Sequence, residues 1–249
     1  MDGIIDFHTH AFPDALADRA MAALSAEAPQ LPYYHDGRVG SLLKSMDAAG
    51  IERSVLCSIA TRPSQFEPIF EWSKQIRSER IIPFPSIHPD DPNLDIHIAK
   101  VADEGFKGIK MHPYYQSFSM DEPRLYRTYE LISRYNLILV MHTGFDIAFE
   151  RIRRADPARI LQVVKDFPEL KLVTTHLGGW EQWEEVAAEL IGKPIYMEIS
   201  FTHGYLSSDN VMRILRAHPG DFLLFGTDSP WDDQSEALRR IVQLELGKD

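Results

Sequence analysis

Two histidines one residue apart, His8 and His10, follow a short apolar run near the start of the chain, in IIDFHTH. Side chains at i and i+2 of an extended strand project from one face, so a single metal ion can take both imidazoles. Read alone, the pair fits equally well as solvated strand-end residues or as packed rings with satisfied nitrogens. Other residues of ligand or acid–base type stand further on: Lys110 and His112 in GIKMHP, His142 in MHTG, His176 in THLGG and Asp228 in GTDSPW. His8, His10, His142 and Asp228 together supply three imidazoles and a carboxylate, a donor set that suits zinc and leaves a position open for water. Such an ion lowers the pKa of its bound water and makes a hydroxide-like nucleophile at neutral pH. Taken singly, Asp228 also fits a helix cap, and His142 or His176 a hydrogen-bonded strand-end residue. Their conjunction points to a shared metal site.

What must position these residues is a repeated alternation of elements. Short apolar, often β-branched runs occupy residues 3–7, 53–60, 81–87, 106–111, 137–142, 170–176, 194–200 and 222–227. Between them lie stretches with helical spacing of apolar residues, at 39–49, 66–77, 94–103, 125–135, 159–167, 180–191, 210–218 and 236–246. Gly50 and Pro219-Gly220 read as stop signals after two of these helices. Strands separated by helices of this length imply βαβ units and a parallel sheet. Eight such units in a 249-residue chain suit a closed (β/α)8 TIM barrel better than an open sheet, and no glycine-rich nucleotide-binding sequence follows a strand. Residues 11–37 read as an inserted loop containing a short helix at about 14–26, which distorts the barrel after its first strand. Active groups of such barrels stand at the C-terminal ends of the strands, and the ligand-type residues fall at the ends of strands one, four, five, six and eight. Ile4, Asp6, His8 and His10 are expected on one face of the first strand, and Lys110 and His112 on one face of the fourth.

Bulk properties narrow the class. The chain is 44% hydrophobic and 25% charged, as for a globular protein with a sizeable core, and length alone forces no domain boundary, so residues 1–249 are read as one domain. The net charge of -11 without a basic cluster argues against a nucleic-acid partner. No apolar run is long enough to span a membrane, and the N-terminus lacks the features of a signal peptide. The single cysteine, Cys57, allows no internal disulfide and fits a buried strand position. A cytoplasmic location is expected.

HTH at the first strand, GIKMHP at the fourth, MHTG at the fifth, THLGG at the sixth and GTDSPW at the eighth resemble the amidohydrolase superfamily. The likeness is closest to its amidohydrolase-2 branch, which includes aminocarboxymuconate-semialdehyde decarboxylase and related aromatic acid decarboxylases. It spans nearly the whole chain, in order. The resemblance implies a distorted TIM barrel with His8, His10 and His142 as metal ligands. Asp228 would touch the metal and shuttle a proton. His176 would stand beside the metal for acid–base work, or bind a second metal as in two-metal members. Lys110 would be a carboxylated bridge in a two-metal centre, or an ordinary ammonium that pairs with a carboxylate. One metal and an unmodified lysine are expected, since the branch is mostly mononuclear. Zinc is the expected ion, with manganese, iron and cobalt also accepting these donors.

Further residues are placed around the proposed pocket. His112, Tyr114, Trp180 and Trp231 are candidates for substrate contact, with Phe12 in the same standing. Arg62, His88 and His203 are weaker candidates, while His35, His97 and His218 read as surface or helix-end residues. The leading expectation is a metal-dependent hydrolase, in which activated water attacks an amide, ester or lactone carbonyl of a small molecule. The alternative is a non-oxidative decarboxylase of a small aromatic or unsaturated carboxylic acid. A metal-binding barrel without catalysis and a metal-free lactonase are lesser variants. A homodimer is expected from the resemblance.

Overall fold

The computed structural model describes residues 3–244, and the expected end of the last helix at Leu246 lies outside the described residues. Eight strands follow in parallel: β1 (Ile5–Thr9), β2 (Arg53–Cys57), β3 (Ile81–Phe84), β4 (Gly108–Met111), β5 (Ile138–Met141), β6 (Lys171–Thr174), β7 (Tyr196–Glu198) and β8 (Leu223–Leu224). They form two arcs, β1-β2-β3 and β4-β5-β6-β7-β8. Backbone bonds close both seams. Lys110 N–H donates to Pro85 O at 3.0 Å between the arcs on one side. On the other, Phe7 N–H donates to Phe225 O at 2.8 Å and Asp228 N–H to His8 O at 2.7 Å. The result is the distorted (β/α)8 barrel that the alternation of elements predicts.

Nine α-helices among the described residues wrap it: α1 (Asp14–Glu27), α2 (Val39–Ala49), α3 (Phe66–Ile76), α4 (Leu94–Asp103), α5 (Tyr126–Arg134), α6 (Pro157–Asp166), α7 (Trp183–Glu189), α8 (Ser208–Ala217) and α9 (Gln234–Gln243). Helix α1 is the expected insertion. Gly50 ends α2 in the left-handed region at φ 71°, where a side chain would be strained. No helix among the described residues is long and apolar enough to cross a membrane.

The strand alternation explains how an apolar barrel interior carries polar groups at one end. Val55, Cys57, Phe84, Val140 and Val173 pack together inside the barrel, joined by Phe7, Ile82, Ile138, Tyr196 and Leu224. Leu139 and Met141, of opposite phase on β5, pack outward with Leu131, Ile132 and Ile160 of the helices. Two residues beyond Val140 comes His142, which shares its inward phase. The barrel interior is thus apolar at its base and polar at the strand C-termini.

One expected face and two expected boundaries change. The register of β1 against β2 is irregular between Asp6 and Thr9: Phe7 packs inside the barrel, Ile4 packs with Leu42 and Met46 of α2, Asp6 is tied to Gln234 of α9, and His8 and His10 turn to the site. The four residues therefore do not share one regular face. The eighth strand is only two residues long, because beyond Leu224 the chain is held by single backbone bonds to β1 instead of a ladder. Helix α7 begins at Trp183 and not at 180, since Trp180 is bridged to the β5 loop: its N–H donates to Thr143 O at 3.1 Å and its carbonyl accepts from Phe145 N–H at 3.0 Å.

Candidate metal centre

The strand ends bring His8, His10, Lys110, His142, His176 and Asp228 into one cavity. His176, Leu177 and Asp228 adopt φ of 57°, 54° and 60°, the left-handed region that non-glycine residues seldom occupy. Strain of this kind at the ends of β6 and β8 is maintained only where the surroundings hold the side chain in place.

His8 Nε2 lies 3.1 Å from His10 Nε2. Asp228 Oδ1 stands 2.9 Å from His10 Nε2 and 3.4 Å from His8 Nε2. Ligands about 2.0–2.2 Å from one tetrahedral ion are separated by similar distances, roughly 3.2–3.6 Å. The proton positions agree. His10 Nδ1 faces the Cys57 carbonyl at 2.8 Å and must donate to it, so a neutral His10 turns a bare Nε2 inward. His142 Nε2 likewise donates to Phe145 O at 3.0 Å, leaving Nδ1 bare and 3.1 Å from His176 Nε2. Lone pairs and a carboxylate oxygen facing one another in a buried site are the pattern that a divalent cation satisfies. The donor set present fits the ion that the sequence implies.

The convergence is tightest for three of the four expected ligands. His8, His10 and Asp228 offer atoms within 4.8 Å of one another. His142 falls in a neighbouring group with His112 and Asp146, and His8 also groups with His176 and Glu198. His142 still touches the centre through His176, but it turns its Nε2 to the β5 loop and stacks on His112 with ring centroids 4.1 Å apart. Lys110 Nζ is fully buried, 3.0 Å from His8 Nε2.

Burial dominates the electrostatics. It holds the imidazoles of His8, His112, His142 and His176 well below their ordinary value, and the nearby Lys110 pushes each the same way. Burial also lowers the Lys110 ammonium, against the opposing pull of Asp228 and Glu198. The Asp6 carboxyl is pushed up to about 6 by burial, although Gln234 and Thr227 donate to it. Burial raises Glu198 to about 8, against the N–H and O–H of Ser200.

Above these groups opens a cavity of about 1070 Å³. The inserted segment supplies one wall through Phe12, Leu16, Leu24 and Leu31, and the barrel loops supply others through Tyr114, Phe145, Phe149, Trp180 and Trp231. His112, Tyr114, Trp180, Trp231 and Phe12 all line this cavity. Tyr114 and Trp180 are buried, with the Tyr114 hydroxyl 2.6 Å from Ile152 O. Arg62, His88 and His203 do not line the cavity. Of the three histidines read as surface or helix-end residues, His218 ends α8 and donates from Nε2 to Ile195 O at 2.8 Å, His97 meets Asp91 Oδ2 at 2.7 Å, and half-buried His35 meets Ser229 Oγ at 2.9 Å.

Four polar residues of the site were not legible as such. Asp6 is buried and accepts from Thr227 and Gln234. Asp146 faces His112 and His142 at 3.4 and 3.7 Å. Glu198 and Ser200 contact His8 and His176. Glu198 does leave a signal, a lone carboxylate inside the apolar strand PIYMEIS.

Solved structures share this architecture. An uncharacterized TIM-barrel protein from Bordetella bronchiseptica superposes with a TM-score of 0.78 at 20% identity, covering 98% of this chain and 92% of that one. A dihydroxybenzoic acid decarboxylase from a Polaromonas species, solved with bound manganese and the inhibitor 2-nitroresorcinol, gives 0.70 at 14% identity over 100% and 92%. A probable 2-pyrone-4,6-dicarboxylic acid hydrolase from Acinetobacter baumannii gives 0.64 at 13% over 98% and 93%. Further neighbours are also named as decarboxylases. At such identities the likeness carries the fold and not the reaction. No curated protein matches the sequence. The family model described as Amidohydrolase matches residues 5–249, nearly the whole chain, and by that match this protein belongs to the amidohydrolase family.

Proposed function

We propose that this protein is a metal-dependent enzyme that removes carbon dioxide, without redox chemistry, from a small aromatic or unsaturated carboxylic acid. One observation carries the reading. The cavity is walled by aromatic and aliphatic side chains, and its floor joins the converging His8, His10 and Asp228 donors to the buried amine of Lys110. A flat acid fits such walls, with its carboxylate directed at the floor. The neighbours named as decarboxylases support this reading above the hydrolytic one that the sequence puts first.

A divalent ion held by His8, His10 and Asp228 would polarise substrate oxygens and stabilise developing negative charge. The chain's own groups do the rest. Lys110 pairs with the anionic substrate at the floor. The bond from the ring or alkene carbon to its carboxyl group breaks, carbon dioxide leaves with its electron pair left on that carbon, and Asp228 passes to it a proton taken up from solvent as substrate binds. The aromatic walls exclude bulk water and strengthen these contacts. The ion is a divalent metal; zinc and manganese both accept imidazole and carboxylate ligands.

Hydrolysis is the second reading, favoured by one feature: bare imidazole nitrogens beside Asp228 would equally serve an activated water. Metal-loaded protein offered dihydroxybenzoates, other small aromatic acids and lactones separates the two. Carbon dioxide release in step with substrate loss is expected. Acid release from a lactone or ester, with no carbon dioxide from any acid, would overturn decarboxylation.

A further inference from the structure

We propose that Glu198 and Ser200 are positioning residues that fix the tautomers of His8 and His176, so that both histidines present a bare Nε2 to the metal centre. The inference deepens the metal-centre reading above and rests on it for its consequence, but not for its geometry. Glu198 closes β7 and is fully buried. Its Oε2 lies 2.9 Å from His8 Nδ1 and 2.9 Å from Ser200 Oγ, while Oε1 accepts the Ser200 backbone N–H. The backbone N–H and the hydroxyl of Ser200 both donate to this carboxyl group, against the burial that raises it, and once Glu198 is ionised its remaining contact, His8 Nδ1, must be a donor.

The proton count then follows. Ser200 has one hydroxyl proton and gives it to Glu198, so its oxygen meets His176 Nδ1, 3.0 Å away, as an acceptor. A neutral imidazole carries one N–H. His8 and His176 therefore both hold that proton on Nδ1, directed outward at the Glu198–Ser200 pair. Their Nε2 atoms face inward, His8 toward His10 at 3.1 Å and His176 toward His142 at 3.1 Å. Backbone carbonyls set the tautomers of His10 and His142, whereas two side chains at the end of β7 and just beyond it set those of His8 and His176. A carboxylate on the outer nitrogen also makes the inner one more basic.

Room for this device is built into the neighbouring strand end. A Cβ added at Gly226 would lie 2.3 Å from Glu198 Oε1 and 2.5 Å from its Cδ. The glycine of GTDSPW thus makes space for a carboxylate 28 residues earlier in the chain.

Long-range 1H–15N correlation spectra of the metal-free, full-length protein, recorded above pH 8 where Glu198 is ionised, report which imidazole nitrogen carries the proton. Both His8 and His176 are expected as Nδ1–H in the unmodified protein. Glu198→Gln keeps the shape but can donate an amide proton to His8 Nδ1, so His8 should move to Nε2–H. Zinc affinity, read by chelator competition, should then fall by about 10–100-fold, with the melting temperature of the metal-free form retained. If Glu198→Gln does not fold, Ser200→Ala tests the same scheme through loss of the fixed His176 tautomer. Nε2–H on both histidines of the unmodified protein, or unchanged tautomers with zinc affinity within about threefold in the variant, would overturn the assignment. Unmodified protein that takes up no zinc contradicts the metal-centre reading instead, and the spectra still decide the role of Glu198.

Discussion

At the scale of single residues, the centre depends on which atoms are bare and which carry protons. Asp228 is the residue where coordination and proton handling meet: its Oδ1 is 2.9 Å from His10 Nε2, and a left-handed backbone turns it toward the site. Asp228→Asn keeps the volume and removes the charge and the ability to take up and release a proton. Turnover should fall by about 10²–10⁴, as for loss of a general acid–base group, while the melting temperature of the metal-free protein stays near that of the unmodified chain. Turnover within about tenfold of the unmodified enzyme would remove Asp228 from proton handling. Cys57, by contrast, has no part in the chemistry. Burial pushes its thiol up to about 12, so native protein should not react with thiol reagents until it unfolds. Rapid labelling under native conditions would contradict that placement.

At the scale of elements, the barrel is held shut near the site by Asp6. It is fully buried and accepts from Thr227 N and Oγ1 at 3.0 and 2.6 Å and from Gln234 Nε2 at 2.7 Å, tying β1 to the loop after β8 and to α9. Asp6→Asn sets an amide donor against some of these donors. A loss of about 1–3 kcal/mol is expected, read as a lower melting temperature or denaturant midpoint. An unchanged midpoint would mean that the seam is held by its backbone bonds alone. The elements themselves were mostly legible, because buried parallel strands are continuous apolar runs and five of the eight end in a ligand-type residue. What was not legible had tertiary causes. Trp180 looked like the start of α7 but is captured by backbone bonds from the β5 loop. His142 looked like a simple ligand, yet its ring direction depends on Phe145 and on the stacked His112, which no spacing along the chain records. Glu198 could have been found, as a carboxylate with no place in a buried strand unless another group needs it.

At the scale of the whole molecule, burying four imidazoles at one end of the barrel links stability to pH. His8, His112, His142 and His176 have folded values well below the ordinary 6.5. Below 6.5 the unfolded chain therefore binds protons that the folded one refuses, so stability rises with pH in that range and is lost as pH falls. Asp6 and Glu198, raised to about 6 and about 8, act in the opposite sense. Four imidazoles outweigh two carboxyls, and the metal-free protein should lose melting temperature steadily from pH 6.5 to about pH 5. A melting temperature that held or rose over that interval would contradict the burial of neutral histidines. A bound ion should steepen the loss, since protons and metal compete for the same nitrogens. The central claim is that this polar end of the barrel holds a metal, and elemental analysis of protein purified without chelator tests it most directly. About one equivalent of a divalent transition metal per chain is expected, whereas less than about 0.2 equivalents of any such metal would contradict the account.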